Sequence, residues 1–298
     1  MSRGDDTRGT QTTLRHWLEN RRPRELHGPR TPLPKVAVSL FDYHGLSLLP
    51  WKARGYRCIS IVERGRHTTC STIAGIETVQ LPRMDPCSIR EQLPDPGVVA
   101  FVIGLPPCRD LCAAGARWWK TKHMRDPEFQ TRAINNLNNL LHMLDNFGVP
   151  YAILVPASSR TLLHRPHHRV SPHEFGRYLP RDSPHPLFPS EIPSNDAYTK
   201  RTFLYGGGGF VLPWKAPVSP VFSQIRLKSG KTKRITPVMA SRKSTRARCV
   251  APLGLCNAIV QLHAHPHPHT GCEVRNQSRS SSLSSPSFDD KRDSPLPP

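Results

Sequence analysis

The chain has 298 residues, 37% of them hydrophobic, which is enough for one large domain or two ordinary ones. Lys plus Arg number 42 against 22 for Asp plus Glu, and this net charge of +20 points to a polyanionic partner such as nucleic acid. No run approaches the roughly 18 apolar residues of a membrane span, and the opening MSRGDDTRGT lacks the apolar stretch of a secretion signal.

The eight cysteines have no disulfide-scaffold rhythm and are expected as reduced thiols in an intracellular protein. Residues 1–34 are Arg-rich and broken by prolines, which predicts a basic flexible arm. Within it, residues 10–22 have a short helical pattern with Leu14, Trp17 and Leu18 on one face.

The middle of the chain alternates apolar runs with helix-like stretches. Val36-Ala-Val-Ser-Leu-Phe41 predicts a first strand, and residues 46–54 a short helix stopped by Gly55. Cys58-Ile-Ser-Ile-Val62 predicts a second strand, ending at Glu63, and residues 97–104 a third, ending before Pro106-Pro107. Asp126 is placed to cap a helix with Pro127 at its first position. Phe129, Ala133, Ile134, Leu137, Leu140, Leu141, Leu144 and Phe147 then share one face, and Gly148 ends the helix. Tyr151-Ala-Ile-Leu-Val155 predicts a fourth strand. Such alternation implies an α/β domain over about 35–264, a mostly parallel sheet with helices on both faces.

The glycine run 206–209 is not followed by Lys-Ser/Thr, so it reads as a turn between strands rather than a phosphate loop. Residues 225–248 are dense in Lys and Arg and hold no acid. Residues 265–298, His/Pro-rich and then Ser-rich, predict a disordered tail. Cys249, Cys256, His263, His265, His267, His269 and Cys272 lack the spacing of a structural zinc site, so no metal is assigned.

Ligands of parallel sheets sit beyond the carboxyl ends of the strands. Three features collect there. Gly45, in the 41–45 loop, allows a ligand to approach the backbone closely. Glu63 follows it at roughly the 20-residue spacing at which an acid holds a ribose hydroxyl. Cys108 follows two prolines just past a buried strand, where a nearby Arg109 or a helix start would lower its pKa and make it a nucleophile.

These residues resemble those of the DNA (cytosine-5)-methyltransferases, most closely the compact type found in phages. The segments carrying the likeness to that family's cofactor half are Val38-Ser-Leu-Phe-Asp-Tyr-His-Gly45, Pro50-Trp51, Gly55-Tyr56 and the strand to Glu63. Pro106-Pro107-Cys108-Arg-Asp-Leu, followed by Ala114-Gly-Ala-Arg-Trp-Trp119 and Lys122, resembles its nucleophile segment. Downstream, His173-Glu-Phe-Gly-Arg-Tyr-Leu, Asp196-Ala-Tyr-Thr-Lys-Arg-Thr202 and Ala251-Pro-Leu-Gly-Leu-Cys-Asn-Ala-Ile-Val260 resemble the same compact relatives.

The resemblance implies an S-adenosylmethionine-dependent (Rossmann-like) methyltransferase fold, with Cys249 and Cys256 in the core near its last helix. It implies S-adenosylmethionine bound by Phe41, Asp42, Gly45, Glu63 and Pro106. It implies Cys108 attacking C6 of a cytosine flipped out of DNA, since the ring cannot be reached within the stack. The likeness breaks at the family's glutamate–asparagine pair, where Leu154 and Val155 stand and can move no proton. Loss of such general-acid help is typically worth about 10²–10⁴-fold in rate.

Two expectations follow: methyl transfer to cytosine with Cys108 as nucleophile, or a catalytically inactive methyltransferase-fold protein that holds DNA. Either uses Lys228, Lys231, Lys233, Arg234, Arg242, Lys243, Arg246 and Arg248 as phosphate contacts. The clusters Lys231-Thr-Lys-Arg234 and Arg242-Lys243 also fit a nuclear import signal, which would suit a virus of eukaryotes.

Overall fold

The apolar runs form the centre of a seven-stranded sheet. The computed structural model describes residues 35–65, 75–157, 166–226, 229–230, 232–240 and 247–264. The predicted arm with its 10–22 helix, and the tail from residue 265, lie outside the described residues.

The strands are β1 (Val36–Leu40), β2 (Arg57–Glu63), β3 (Glu77–Leu81), β4 (Val99–Gly104), β5 (Tyr151–Pro156), β6 (His168–Val170) and β7 (Thr202–Gly207). Their order is β3-β2-β1-β4-β5-β7-β6. The pairs β3–β2, β2–β1, β1–β4 and β4–β5 are parallel, while β7 runs antiparallel to both β5 and β6. A small hairpin of β8 (Ser223–Arg226) and β9 (Thr232–Ile235) stands apart from this sheet.

β1 is buried along its whole length because it is central and covered on both faces, which is why it reads as an unbroken apolar run. Its one polar member is satisfied: Ser39 Oγ donates to Ser60 Oγ at 3.0 Å, and Ser60 Oγ donates to the Asp42 carbonyl at 2.9 Å. Side chains alternate between the two faces. Val36, Val38, Leu40, Ile59, Ile61, Val102, Ile153 and Val155 share one apolar cluster, and Ala37, Cys58, Phe101, Ile103, Ala152 and Leu154 share the other.

The first face is covered by α2 (Pro86–Gln92) and α4 (Phe129–Phe147), which supply Ile89, Ile134, Leu137, Leu140, Leu144 and Phe147. The second is covered by α1 (Leu49–Lys52) and α6 (Leu253–His263), with Trp51, Leu255, Cys256 and Ile259 in the cluster. Tyr56 Oη donates to the Ala264 carbonyl at 2.7 Å, tying the end of α6 to the approach to β2. Two further short helices, α3 (Trp119–Arg125) and α5 (Pro237–Ala240), complete the elements used below. Among the described residues no helix is long and apolar enough to cross a membrane.

The predicted helix after Asp126 begins instead at Phe129, and Gly148 ends it as expected. Asp126 caps nothing with its side chain, which pairs with Arg132 one turn inside the helix. The glycine run turns the chain at Gly208 and Gly209 after β7, but the segment that follows is not a strand. Cys256 is buried as expected, whereas Cys249, at the end of a 3-10 turn whose buried member is Ala247, ahead of the helix, is exposed and not part of the core.

Candidate active site at the switch point of the sheet

The chain leaves β1 toward β2 on one side and later enters β4 on the other. The carboxyl ends of β1 and β4 therefore flank the crevice where doubly wound sheets bind ligands. The β1–β4 ladder runs to the ends of both strands, with Leu105 N donating to the Leu40 carbonyl at 2.9 Å, so the loops that follow start side by side.

In the loop after β1, Phe41 is buried yet held at φ 63, a conformation that costs a non-glycine residue about 1–3 kcal/mol. Its amide donates to the Ile61 carbonyl at 2.9 Å, which holds the turn against β2. The buried Asp42 carboxylate is occupied within the loop. It accepts from Ser47 N at 2.8 Å, Ser47 Oγ at 2.5 Å and His44 N at 3.2 Å. Asp42 therefore shapes the loop. Gly45 sits at φ 65 directly before the 3-10 turn Leu46–Leu48. Glu63 is the last residue of β2, half-buried, at the same edge of the sheet.

In the loop after β4, Pro106 and Pro107 lead to Cys108, whose carbonyl accepts from Leu111 N at 2.9 Å and Cys112 N at 2.8 Å. That turn brings the Cys108 and Cys112 side chains together. Beyond it the backbone folds back so tightly that a Cβ on Gly115 would lie 1.7 Å from the Arg109 carbonyl oxygen, so only glycine fits there. Trp119 Nε1 also reaches that oxygen at 3.4 Å, Lys122 pairs with Asp110, and Gln130 Nε2 donates to the Asp110 carbonyl at 3.1 Å.

The electrostatics differ from the sequence expectation of a lowered pKa at Cys108. The hydrogen bond to Cys112 and burial push the thiol well above its usual range, and the neighbouring Cys112 and Cys249 add to the rise. The Arg109 side chain is exposed; the cation that opposes the rise is Lys200.

Lys200 lies in the Asp196–Thr202 segment that carries part of the resemblance, but the sequence alone assigns it no role. That segment leads into β7 and is held in place by several bonds. Ala157 N donates to the Arg201 carbonyl at 2.9 Å, Lys200 N donates to Ser171 Oγ at 3.1 Å, and Lys200 Nζ donates to the Arg248 carbonyl at 2.6 Å. Nearby, the buried Asp196 accepts from Gly254 N at 2.8 Å and so caps α6 from a distant part of the chain. Burial raises its pKa to about 6, against the lowering effect of the α6 amides and Lys200.

Leu154 faces the α6 side, 4% exposed, among Ala152, Phe175, Leu204, Ala251 and Leu255. Val155 faces the α4 side. Both are core residues. Of the basic residues, Lys233 and Arg234 are exposed on β9, where the Arg234 guanidinium lies 4.3 Å from the centre of the Phe222 ring. Arg248 is half-buried beside Cys249. Lys228, Lys231, Arg242, Lys243 and Arg246 lie outside the described residues. Among the described residues no group of three or more His, Cys, Asp or Glu side chains could hold a metal ion.

The fold defines an α/β protein with a mostly parallel, doubly wound sheet, compatible with a Rossmann-like fold. No family model matches the chain, and no curated protein is significantly similar to it.

Proposed function

We propose that this chain is a DNA (cytosine-5)-methyltransferase-like protein that binds S-adenosylmethionine over the 41–45 loop and uses Cys108 as its nucleophile. The observation that carries the reading is the parallel pairing of β1 with β4 up to their carboxyl ends, which starts two loops side by side at the switch point, one with Asp42 and Gly45, the other with Pro106 and Cys108. The resemblance in sequence assigns cofactor and nucleophile to these same two loops. Phe41, Asp42, Gly45, Glu63 and Pro106 would hold the cofactor, which would supply an electrophilic methyl group.

A second reading is favoured by specific observations. Leu154 and Val155 are packed in the core, and Cys112 and burial raise the proton affinity of the Cys108 thiol. On this reading the chain is a catalytically inactive methyltransferase-fold protein that binds DNA through its basic segments.

Calorimetric titration of S-adenosylmethionine into the purified protein, beside Glu63→Ala, tests the proposal. The expected result is saturable binding that weakens about tenfold or more in the variant, equivalent to losing about 1.4 kcal/mol. A folded wild-type protein that gives no binding isotherm refutes the cofactor assignment.

A further inference from the structure

The segment after the Gly208–Gly209 turn is not a strand, yet its backbone is held. It lies along the 3-10 helix Pro172–Tyr178. Ala216 N donates to the Glu174 carbonyl at 2.8 Å, Arg177 N to the Ala216 carbonyl at 3.1 Å and Val218 N to the His173 carbonyl at 2.9 Å. Pro213, Pro217 and Pro220 restrict φ along the same stretch. A Cβ on Gly176 would lie 2.4 Å from Val218 Cγ2, so glycine is what lets the segment come this close.

On this backbone Trp214 is 89% exposed, the most exposed large apolar side chain among the described residues. Its carbonyl accepts from Tyr178 Oη at 2.8 Å, so the ring stands on held backbone and not on a loose loop tip. Arg177, next to Tyr178, is exposed too and makes no ion pair among the described residues. Glu174, the acid of the same helix, is already occupied: Lys215 Nζ and Ser171 N each donate to it at 2.8 Å. Arg177 and His173 line an open hollow of about 560 Å³ together with Pro217, Val218, Ser219 and Pro220. Trp214 is two residues from Ala216, roughly 7 Å along an extended chain. Arg177 is bonded to Ala216, so the indole and the guanidinium lie within the reach of one nucleotide.

We propose that Trp214 and Arg177 form a binding site for single-stranded nucleic acid. One unpaired base lies flat on the indole, and its phosphate pairs with the guanidinium at the edge of the hollow. Two features select this partner. A net charge of +20 favours a polyanion. An indole in water takes the face of a base, and within a duplex those faces are covered by stacking. Neither contact needs S-adenosylmethionine or a reactive cysteine.

The test is fluorescence anisotropy of a labelled oligothymidylate of about a dozen nucleotides, titrated with the full chain and compared with a duplex of the same length. Trp214→Ala is expected to weaken binding of the single strand about tenfold, while Trp214→Phe, which keeps a stacking face, stays within about threefold of wild type. Duplex affinity is expected to change less than about twofold in both. Arg177→Gln is expected to flatten the log–log salt dependence of single-strand binding by about 0.7. Both side chains are exposed, and far-UV circular dichroism checks that the variants fold as wild type does.

Single-strand affinity in Trp214→Ala equal to that of wild type overturns the proposal. So does an equal loss for strand and duplex, which would mark a general change in the surface rather than a lost stacking face. An unchanged salt slope in Arg177→Gln overturns it as well. The assay contains no cofactor, so its outcome is independent of whether S-adenosylmethionine binds.

Discussion

Replacing Asp196 by asparagine should change how stability responds to pH, by an amount set by the burial of its carboxyl. The group is 2% exposed and its pKa rises from 3.8 to about 6 on folding. A tenfold change in proton affinity is worth about 1.4 kcal/mol, so the rise is worth about 3 kcal/mol. The sign follows from linkage. The folded state holds this proton more tightly, so the contribution is full below about pH 4 and is lost as pH rises through about 6.

His185 works in the opposite direction. Its buried ring has a pKa lowered to about 4, chiefly by burial, while Nδ1 accepts from Phe188 N at 3.1 Å. Its contribution is lost as pH falls from about 6.5 toward 4. The two effects offset one another in wild type, so the informative quantity is the difference between variant and wild type. Urea unfolding followed by far-UV circular dichroism, from pH 4 to 7.5, gives it at each pH. The stability of Asp196→Asn relative to wild type should increase by about 2.4 kcal/mol across that range. A flat difference would mean that the α6 amides and Lys200 fully offset the desolvation of Asp196, and the reasoning would fail.

Leu154→Glu tests whether the missing carboxylate can be put back. It places a charge among Phe175, Leu204 and Leu255, and the unfolding free energy should fall by about 3 kcal/mol or more, while Leu154→Met should cost less than about 1.5 kcal/mol. Equal midpoints for the two variants would show that the Leu154 position opens to water. Reversing Lys233 and Arg234 together to Glu should weaken retention of duplex DNA evenly across sequences and flatten the log–log salt dependence by about 2. An unchanged salt slope would remove the β8–β9 hairpin from the interface.

The central strands were legible in the sequence because burial on both faces leaves no polar position to blur the pattern. β1, β2, β4 and β5 fall within a residue or two of the apolar runs that predict them. β3 escaped because it lies at the sheet edge, where Glu-Thr-Val-Gln-Leu is mostly solvent-facing. α2 escaped although its start is written plainly. Asp85 accepts from Ser88 N at 3.0 Å with Pro86 next to it, but the short helix buries only Ile89 and so has no periodic stripe.

At the site, strand-end placement was legible for Cys108 and Gly45, since each follows an apolar run directly. The charge environment was not. The neighbours that set the Cys108 proton affinity are Cys112, brought in by a local turn, and Lys200 and Cys249, brought in by later parts of the chain. Arg109, adjacent in sequence, points to solvent. Nearness along the chain was a poor guide to nearness of charge.

The bond from Tyr56 to the carbonyl of Ala264 has a consequence for the order of folding. One face of the central sheet is sealed by α6, which is made after every strand it covers. Until then Ala37, Phe101, Ile103, Ala152 and Leu154 lack their partners Leu255 and Ile259. A nascent chain must therefore carry an open apolar sheet face through most of its synthesis. Closure of such distant contacts is slow and leaves the intermediate prone to aggregation. Expression yield should accordingly depend on chaperone supply during the last stage of translation, more than on the stability of the finished fold.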